Sequence, residues 1–237
     1  MKSMKFVGTL VMVAAAALQL GGCAASYQAR SVDIKEVSPL VNPDLFGEGK
    51  EGQALYRYVK PGVDAKQYTK ILIDPVLVRK DGDLDKDELE NYQKLANNAF
   101  VYLNQELSKD YQIVTAPEPH TLRLQMAITD ADSSKPVRNT LATFMPIGMG
   151  INLIKYAATG KQTGVGEITM EMKATDASTG ELLGAAIDRR VGGHKVSKLW
   201  SSWYTADEAL KFWAQQTRYA LCTERGGGDT CVKAESE

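Results

Sequence analysis

Histidine is almost missing from this chain: His120 and His194 are the two among 237 residues. Neither has a neighbour at metal-ligand spacing, which argues against a zinc site. No Gly-x-Ser-x-Gly elbow presents a serine nucleophile. A Ser-His-Asp triad is recognised by geometry rather than spacing, so that reading stays open, with surface or structural places expected for both histidines. Excess positive charge is missing too. The formal net charge is −1, whereas a nucleic-acid partner calls for a basic footprint. Past residue 22 no apolar run is long and clean enough for a membrane span, which takes about 20 residues.

Two motifs fail on inspection. Asp81, Asp83, Asp85 and Asp87 alternate like a calcium loop, but Lys86 stands where the turn needs Gly and Tyr92 where it needs a bidentate Glu. A solvated turn capping the next helix is expected instead. Gly160-Lys161-Gln162-Thr163 lacks the upstream glycine of a phosphate loop, because position 155 is Lys. No catalytic group, metal or dissociable cofactor is expected.

What is present begins at the N-terminus. Two lysines in Met1–Lys5 precede an uncharged run from Phe6 to Leu20, the grammar of a signal peptide. Leu20-Gly21-Gly22-Cys23 resembles the lipobox of bacterial lipoproteins. That resemblance implies a leader over 1–22, recognition of Leu20, Gly21 and Gly22 by the signal peptidase, and a covalent lipid on Cys23. Two or three acyl chains, at about 0.8 kcal/mol per buried methylene, anchor far better than one. An ordinary signal peptide followed by a chance cysteine is the alternative. Ala24 and Ala25 follow, and the absence of Asp at that second position implies, by similarity to enterobacterial sorting, an outer-membrane lipoprotein facing the periplasm.

With Cys23 carrying lipid, Cys222 and Cys231 remain as a pair in an oxidising compartment. A bridge between them closes a loop of about ten residues, worth about 2.5–3 kcal/mol in the chain-entropy model. A redox-active pair is the sharper alternative, but the spacing is not Cys-x-x-Cys. The expected organisation is a signal peptide (1–22), a lipidated N-terminus and tether (23–54), one domain (55–222) and a C-terminal tail with the disulfide loop (223–237). The tether is polar, without period, and carries Pro39, Pro43, Gly47, Gly49 and Gly52.

Within the domain, Ile71–Ile73 and Val76–Val78 predict a buried strand bent or ended at Asp74-Pro75. Leu89, Tyr92, Leu95, Ala96, Ala99, Phe100, Leu103 and Leu107 make one helical stripe, with Asp85 and Glu88 in a capping arrangement. A short strand is expected over 111–115. Leu122, Leu124, Met126 and Ile128 alternate with polar or small residues, the period of a half-buried strand. Ile168 to Ala174 repeats it, and a turn at Asp176–Gly180 returns a strand over 181–191. A last helix has Thr205 as N-cap, Glu208 closing a capping box, and Ala209, Leu210, Trp213, Thr217, Ala220 and Leu221 as its stripe. The class is α+β: a mostly antiparallel or mixed β-sheet with two main helices packed on it, in a single domain.

Leu40–Leu45, Tyr56-Arg57-Tyr58, Tyr68–Pro75 and the hairpin Glu167–Glu171, Thr175–Glu181, Asp188-Arg189-Arg190 together resemble domain-of-unknown-function family 3313 of bacterial lipoproteins, from about Ser38 to Leu221. That family implies no activity. More loosely, strand-helix-strand followed by a hairpin with Asp-x-x-Thr-Gly is similar to periplasmic lipoproteins of the curli-secretion-channel type, which assemble as rings for export.

Two stretches stand out. From Asn139 to Ile154 there is no charge until Lys155, and Phe144, Met145, Ile147, Met149 and Ile151 either pack under the sheet or form an exposed contact surface. Trp200 and Trp203, beside Tyr204, are either core or an interface anchor. Three readings follow. The first is a non-enzymatic envelope module acting as a homo-oligomer or within an envelope protein complex, attached to the membrane by its lipid and without nucleic acid. The second is a small-molecule or lipid carrier, and the third a periplasmic hydrolase.

Overall fold

The computed structural model describes residues 26–29, 31–81, 86–129, 139–144, 167–192 and 202–235. In chain order it forms β1 (Ser26–Gln28), α1 (Ile34–Val37), β2 (Gly47–Glu48), β3 (Tyr56–Val59), β4 (Lys70–Ile73), β5 (Val76–Asp81) and α2 (Lys86–Leu107). There follow β6 (Gln112–Val114), β7 (Thr121–Thr129), β8 (Asn139–Phe144), β9 (Glu167–Asp176), β10 (Leu182–Gly192) and α3 (Ser202–Glu224).

The β9–β10 hairpin is the spine of the sheet. Its alternating apolar residues suit a pleated, half-covered surface, and its turn has the right chemistry. The Asp176 carboxylate accepts from Ser178 N at 2.9 Å and Thr179 N at 2.8 Å, while Gly180 supplies a φ of 74° that a side chain would strain. From this spine the order runs β2-β3-β10-β9-β7-β4-β6, with β1 beside β10, β5 beside β7 and β8 beside β5. The sheet is mixed: β4 and β5 both run parallel to β7, and β9 runs antiparallel to its two neighbours, β7 and β10.

Asp74-Pro75 bends one strand into two without breaking its alignment. Asp74 N still donates to Leu124 O at 2.8 Å, and Arg123 Nε reaches both carboxylate oxygens of Asp74 at 2.9 Å. Pro75 has no N–H to give, so the ladder resumes with β5 further along β7.

Helices α2 and α3 cover one face. Leu95, Leu103, Leu107, Leu210 and Trp213 are buried there against Leu124, Met126, Ile128, Ile168, Met170 and Met172. Most of the stripe positions read from the sequence pack, but Ala220 is exposed, and Ala206 and Ala214 join the core beside Ala209, Leu210 and Trp213. The helices are also joined through Asp207, which accepts from Asn98 Nδ2 at 2.8 Å and Tyr102 OH at 2.9 Å. The capping box is not formed. α3 begins at Ser202, leaving Thr205 one turn inside and buried, while Glu208 pairs with Lys211 at 2.5 Å. Thr205 and Ala206 already belong to the buried part of the helix, so the Thr205 hydroxyl is not at a helix end.

The opposite face is closed by residues the sequence assigned to a tether. From Ser26 on, the span 23–54 is not a spacer. β1 pairs with β10, β2 pairs with β3, and Val32 and Val37 pack on Ile187 with Ile34, Phe46, Leu55 and Tyr56 around them. The missing period reflects a segment that fits a surface by irregular turns. A second difference concerns the uncharged stretch. Residues 139–144 are a strand, β8, in register with β5 from Val76↔Phe144 to Asp81↔Asn139.

Cys222, in the last turn of α3, is bonded to Cys231. Gly227 lies between them, and a Cβ there would come within 2.6 Å of both sulfurs. Only glycine lets the loop close this tightly.

Candidate functional site

The buried charges lie where separate chain segments meet. Asp188 and Arg190 are two apart on β10 and share its helix-covered face. Each is almost fully buried, at 2% and 3% exposure. The outer partner of β10 changes here from β3, which ends with Ile187↔Tyr56, to β1, which starts with Arg190↔Gln28. Asp188 fills the gap. Its carboxylate accepts from Trp213 Nε1 at 2.7 Å, Gln28 Nε2 at 2.5 Å and Leu55 N at 3.3 Å. Arg190 donates to Ser26 Oγ at 2.9 Å and Ser26 O at 2.7 Å, with its guanidinium 3.8 Å from the Phe212 ring centre. Burial pushes the Asp188 carboxyl upward, opposed by its three donors and by Arg190. Burial lowers the Arg190 guanidinium, and Asp188 offsets it. Each charge thus opposes the shift that burial imposes on the other.

On the other face Glu171, in β9, is fully buried. Ser38 Oγ lies 2.7 Å from its Oε1, and Leu40 N donates to Oε2 at 2.7 Å. The same Ser38 hydroxyl also reaches Val41 O at 2.7 Å. One hydroxyl proton cannot serve both acceptors. A proton on Glu171 resolves the conflict, since Glu171 then donates to Ser38 and Ser38 to Val41. Burial indeed pushes this carboxyl up, against the donors Ser38, Leu40 and Val41 and the nearby Lys173.

At the end of the sheet away from Ser26 lies an open cleft of about 300 Å³, lined chiefly by Val63, Tyr68, Leu122, Ala174, Leu183 and Leu221. Tyr68 OH donates to Asp176 Oδ2 at 3.0 Å, and burial together with that carboxylate pushes the phenol up to about 12. A neighbouring, more polar cleft of about 420 Å³ runs beside the disulfide. Arg218 is held there by Asp110 at 2.7 Å, and Arg225 lies 5.0 Å from the Tyr111 ring centre.

Of the residues singled out from sequence, Cys222 and Cys231 are brought together. His120 takes a backbone φ of 61° and its carbonyl accepts from Thr69 N and Lys70 N, a turn-forming place at the head of β7. Leu20, Gly21, Gly22, Cys23, Met145, Ile147, Met149, Ile151, His194 and Trp200 lie outside the described residues. Phe144 and Trp203 are placed by their backbones, in β8 and α3. Among the described residues no group of His, Cys, Asp and Glu is placed to hold a metal ion, and no helix is long and apolar enough to cross a membrane.

The buried trio Glu171, Asp188 and Arg190 was not picked out as a site. One signal was available: Asp188 and Arg190 fall at period two in the expected strand 181–191, in phase with Ala186, on the face that must meet a helix. For Glu171 the helpful signal was its place among Ile168, Met170 and Met172, with both faces of the strand needing cover.

These joints define a single α+β domain whose N-terminal segment is built into its own sheet. The chain belongs to the family described as "Protein of unknown function (DUF3313)", which it matches over residues 36–217. Within that range Asp74-Pro75 lies at the strand bend, Tyr56 at the end of the β3 pairing, and Asp188 and Arg190 at the β3–β1 change. No curated protein matches. Among solved structures the chain is similar to a PelC dodecamer from Paraburkholderia phytofirmans, at 12% identity and TM-score 0.35, covering 71% of this chain and 94% of that one. It is also similar to a DUF4136 family protein from Bacteroides thetaiotaomicron, at 13% identity and TM-score 0.36, covering 72% and 95%. Likenesses of this size carry no functional argument.

Proposed function

We propose that this chain is a bacterial lipoprotein held by acyl chains on Cys23 at the outer membrane, facing the periplasm, and that its body is a non-enzymatic assembly or interaction module of the envelope. The observation that carries this reading is the continuity between anchor sequence and fold. The lipobox-like Leu20-Gly21-Gly22-Cys23 is followed within three residues by Ser26, which buried Arg190 holds by side chain and carbonyl. Glu171, Asp188 and Arg190 spend their hydrogen bonds on joints between segments, which supports a scaffold over a reaction centre. Uncharged Asn139–Ile154 and the tryptophans Trp200 and Trp203 are the segments to mutate in search of a partner, since aromatics anchor interfaces. Native mass spectrometry of the gently detergent-extracted, lipidated protein tests this. A closed oligomer or a stoichiometric envelope complex is expected, and a clean monomer with no partner contradicts it.

A second reading, a carrier of small apolar molecules, is favoured by the cleft over Tyr68 and Leu183. Its volume of about 300 Å³ sits at the lower edge of the range for ligand pockets, about 300–1,000 Å³. A small molecule retained by wild type and lost on Leu183→Trp would support it, and an empty protein from native membranes would count against it.

A further inference from the structure

We infer that the corner of the sheet formed by β1 and the C-terminal end of β10 is a membrane-contacting edge, with lipid headgroups as the surface it meets. The inference rests on the reading of Cys23 as the lipid-bearing residue and adds where the body then sits. Ala24 and Ala25 alone separate Cys23 from Ser26, a reach of about 10 Å even when fully extended. A free tether over 23–54 would instead let the body wander by about 30 Å. Ser26 does not yield. It pairs with Gly192, its neighbours pair with Val191 and Arg190, Ala29 N donates to Arg189 O at 2.8 Å, and Arg190 grips Ser26 from inside the core.

The corner also has the surface for this position. Tyr27 is 41% exposed there, and an amphipathic ring at headgroup depth is a favoured arrangement. Glu167, exposed and paired with Arg189, shares that end through its register with Val191. The apolar cleft lies at the opposite end of the eleven-residue β10, about 30 Å along the strand. The lipid thus fixes which end of the sheet approaches the bilayer and which stays open to the periplasm.

The test uses the full chain, lipidated in a bacterium, purified from membranes and reconstituted in phosphatidylethanolamine–phosphatidylglycerol vesicles carrying nitroxide headgroups. A bimane label is placed on Tyr27→Cys, with Glu167→Cys as a second site should the first variant melt early. Strong quenching at either site is expected. A Gly/Ser insertion of about ten residues between Ala25 and Ser26 leaves the folded body untouched and is expected to cut the quenching several-fold. The mass of the N-terminal peptide separates the two failures. An unmodified Cys23 removes both the anchor reading and this inference. An acylated Cys23 with an unquenched label, or with quenching indifferent to the insertion, overturns this inference alone.

Discussion

On one face of the sheet, two helices of 22 and 23 residues bury Leu95, Leu103, Leu107, Leu210 and Trp213 as a continuous apolar layer. On the other, residues 31–55, whose longest helix has four residues, lie over Ile187 through Val32 and Val37 and around the carboxyl group of Glu171. The first face is held by area. The second combines a small apolar cluster with two part-buried hydrogen bonds between residues more than 130 apart in sequence. Area tolerates exchange of one apolar residue for another, whereas a buried polar joint is worth most when every partner is present. The helix face should therefore set global stability, and the strap should come away on its own.

The largest expected effect is Trp213→Ala. It empties a fully buried site on the helix face and strips Asp188 of its Nε1–H donor. A loss of about 3–5 kcal/mol in urea unfolding is expected, with the whole domain affected. Ile187→Ala, on the strap face, should cost less, about 2–3 kcal/mol, because the strap can settle into the space. Its hydrogen exchange should quicken across residues 31–48 while α2 and α3 stay protected. Equal quickening in the helices would erase the difference between the faces. Ser38→Ala should cost about 1 kcal/mol, since Glu171 keeps Leu40 N, and proteolysis should reveal it as an earlier cut within 31–55.

The smallest effect is a pH dependence. Burial holds Glu171 above its ordinary value of 4.5, so the folded state keeps a proton that the unfolded state releases. That contribution to stability is fully present below 4.5 and is lost as pH rises through the raised value. Glu171→Gln should remove it. The Tm of wild type relative to this variant is expected to climb as pH falls from neutral toward 4.5, and a flat difference would contradict the assignment.

The two faces also differ in how readable they were. The α2 stripe, the alternation Leu122–Ile128 and the turn Asp176–Gly180 follow periods imposed by a core on one side, and each formed as expected. The strap obeys no period, because its positions are set by partners across the sheet rather than by neighbours in sequence. Thr205 and Glu208 show a local polar signal that does not mark the helix start, since α3 begins at Ser202 and Thr205 is buried one turn inside it. β8 was missed because a charge-free strand with small residues has the same composition as a packed loop. Asp188 and Arg190 were visible as a motif, while their role as a joint needed the third dimension.

The central claim is that the chain just after Cys23 is part of the fold. Hydrogen exchange of the amides of Ala29 and Leu40 measures this most directly, since the first donates to Arg189 O and the second to Glu171. Both should exchange orders of magnitude more slowly than a free peptide, with Leu40 released by Glu171→Ala. Exchange of both amides at the free-peptide rate in the intact protein would make residues 23–54 a tether after all.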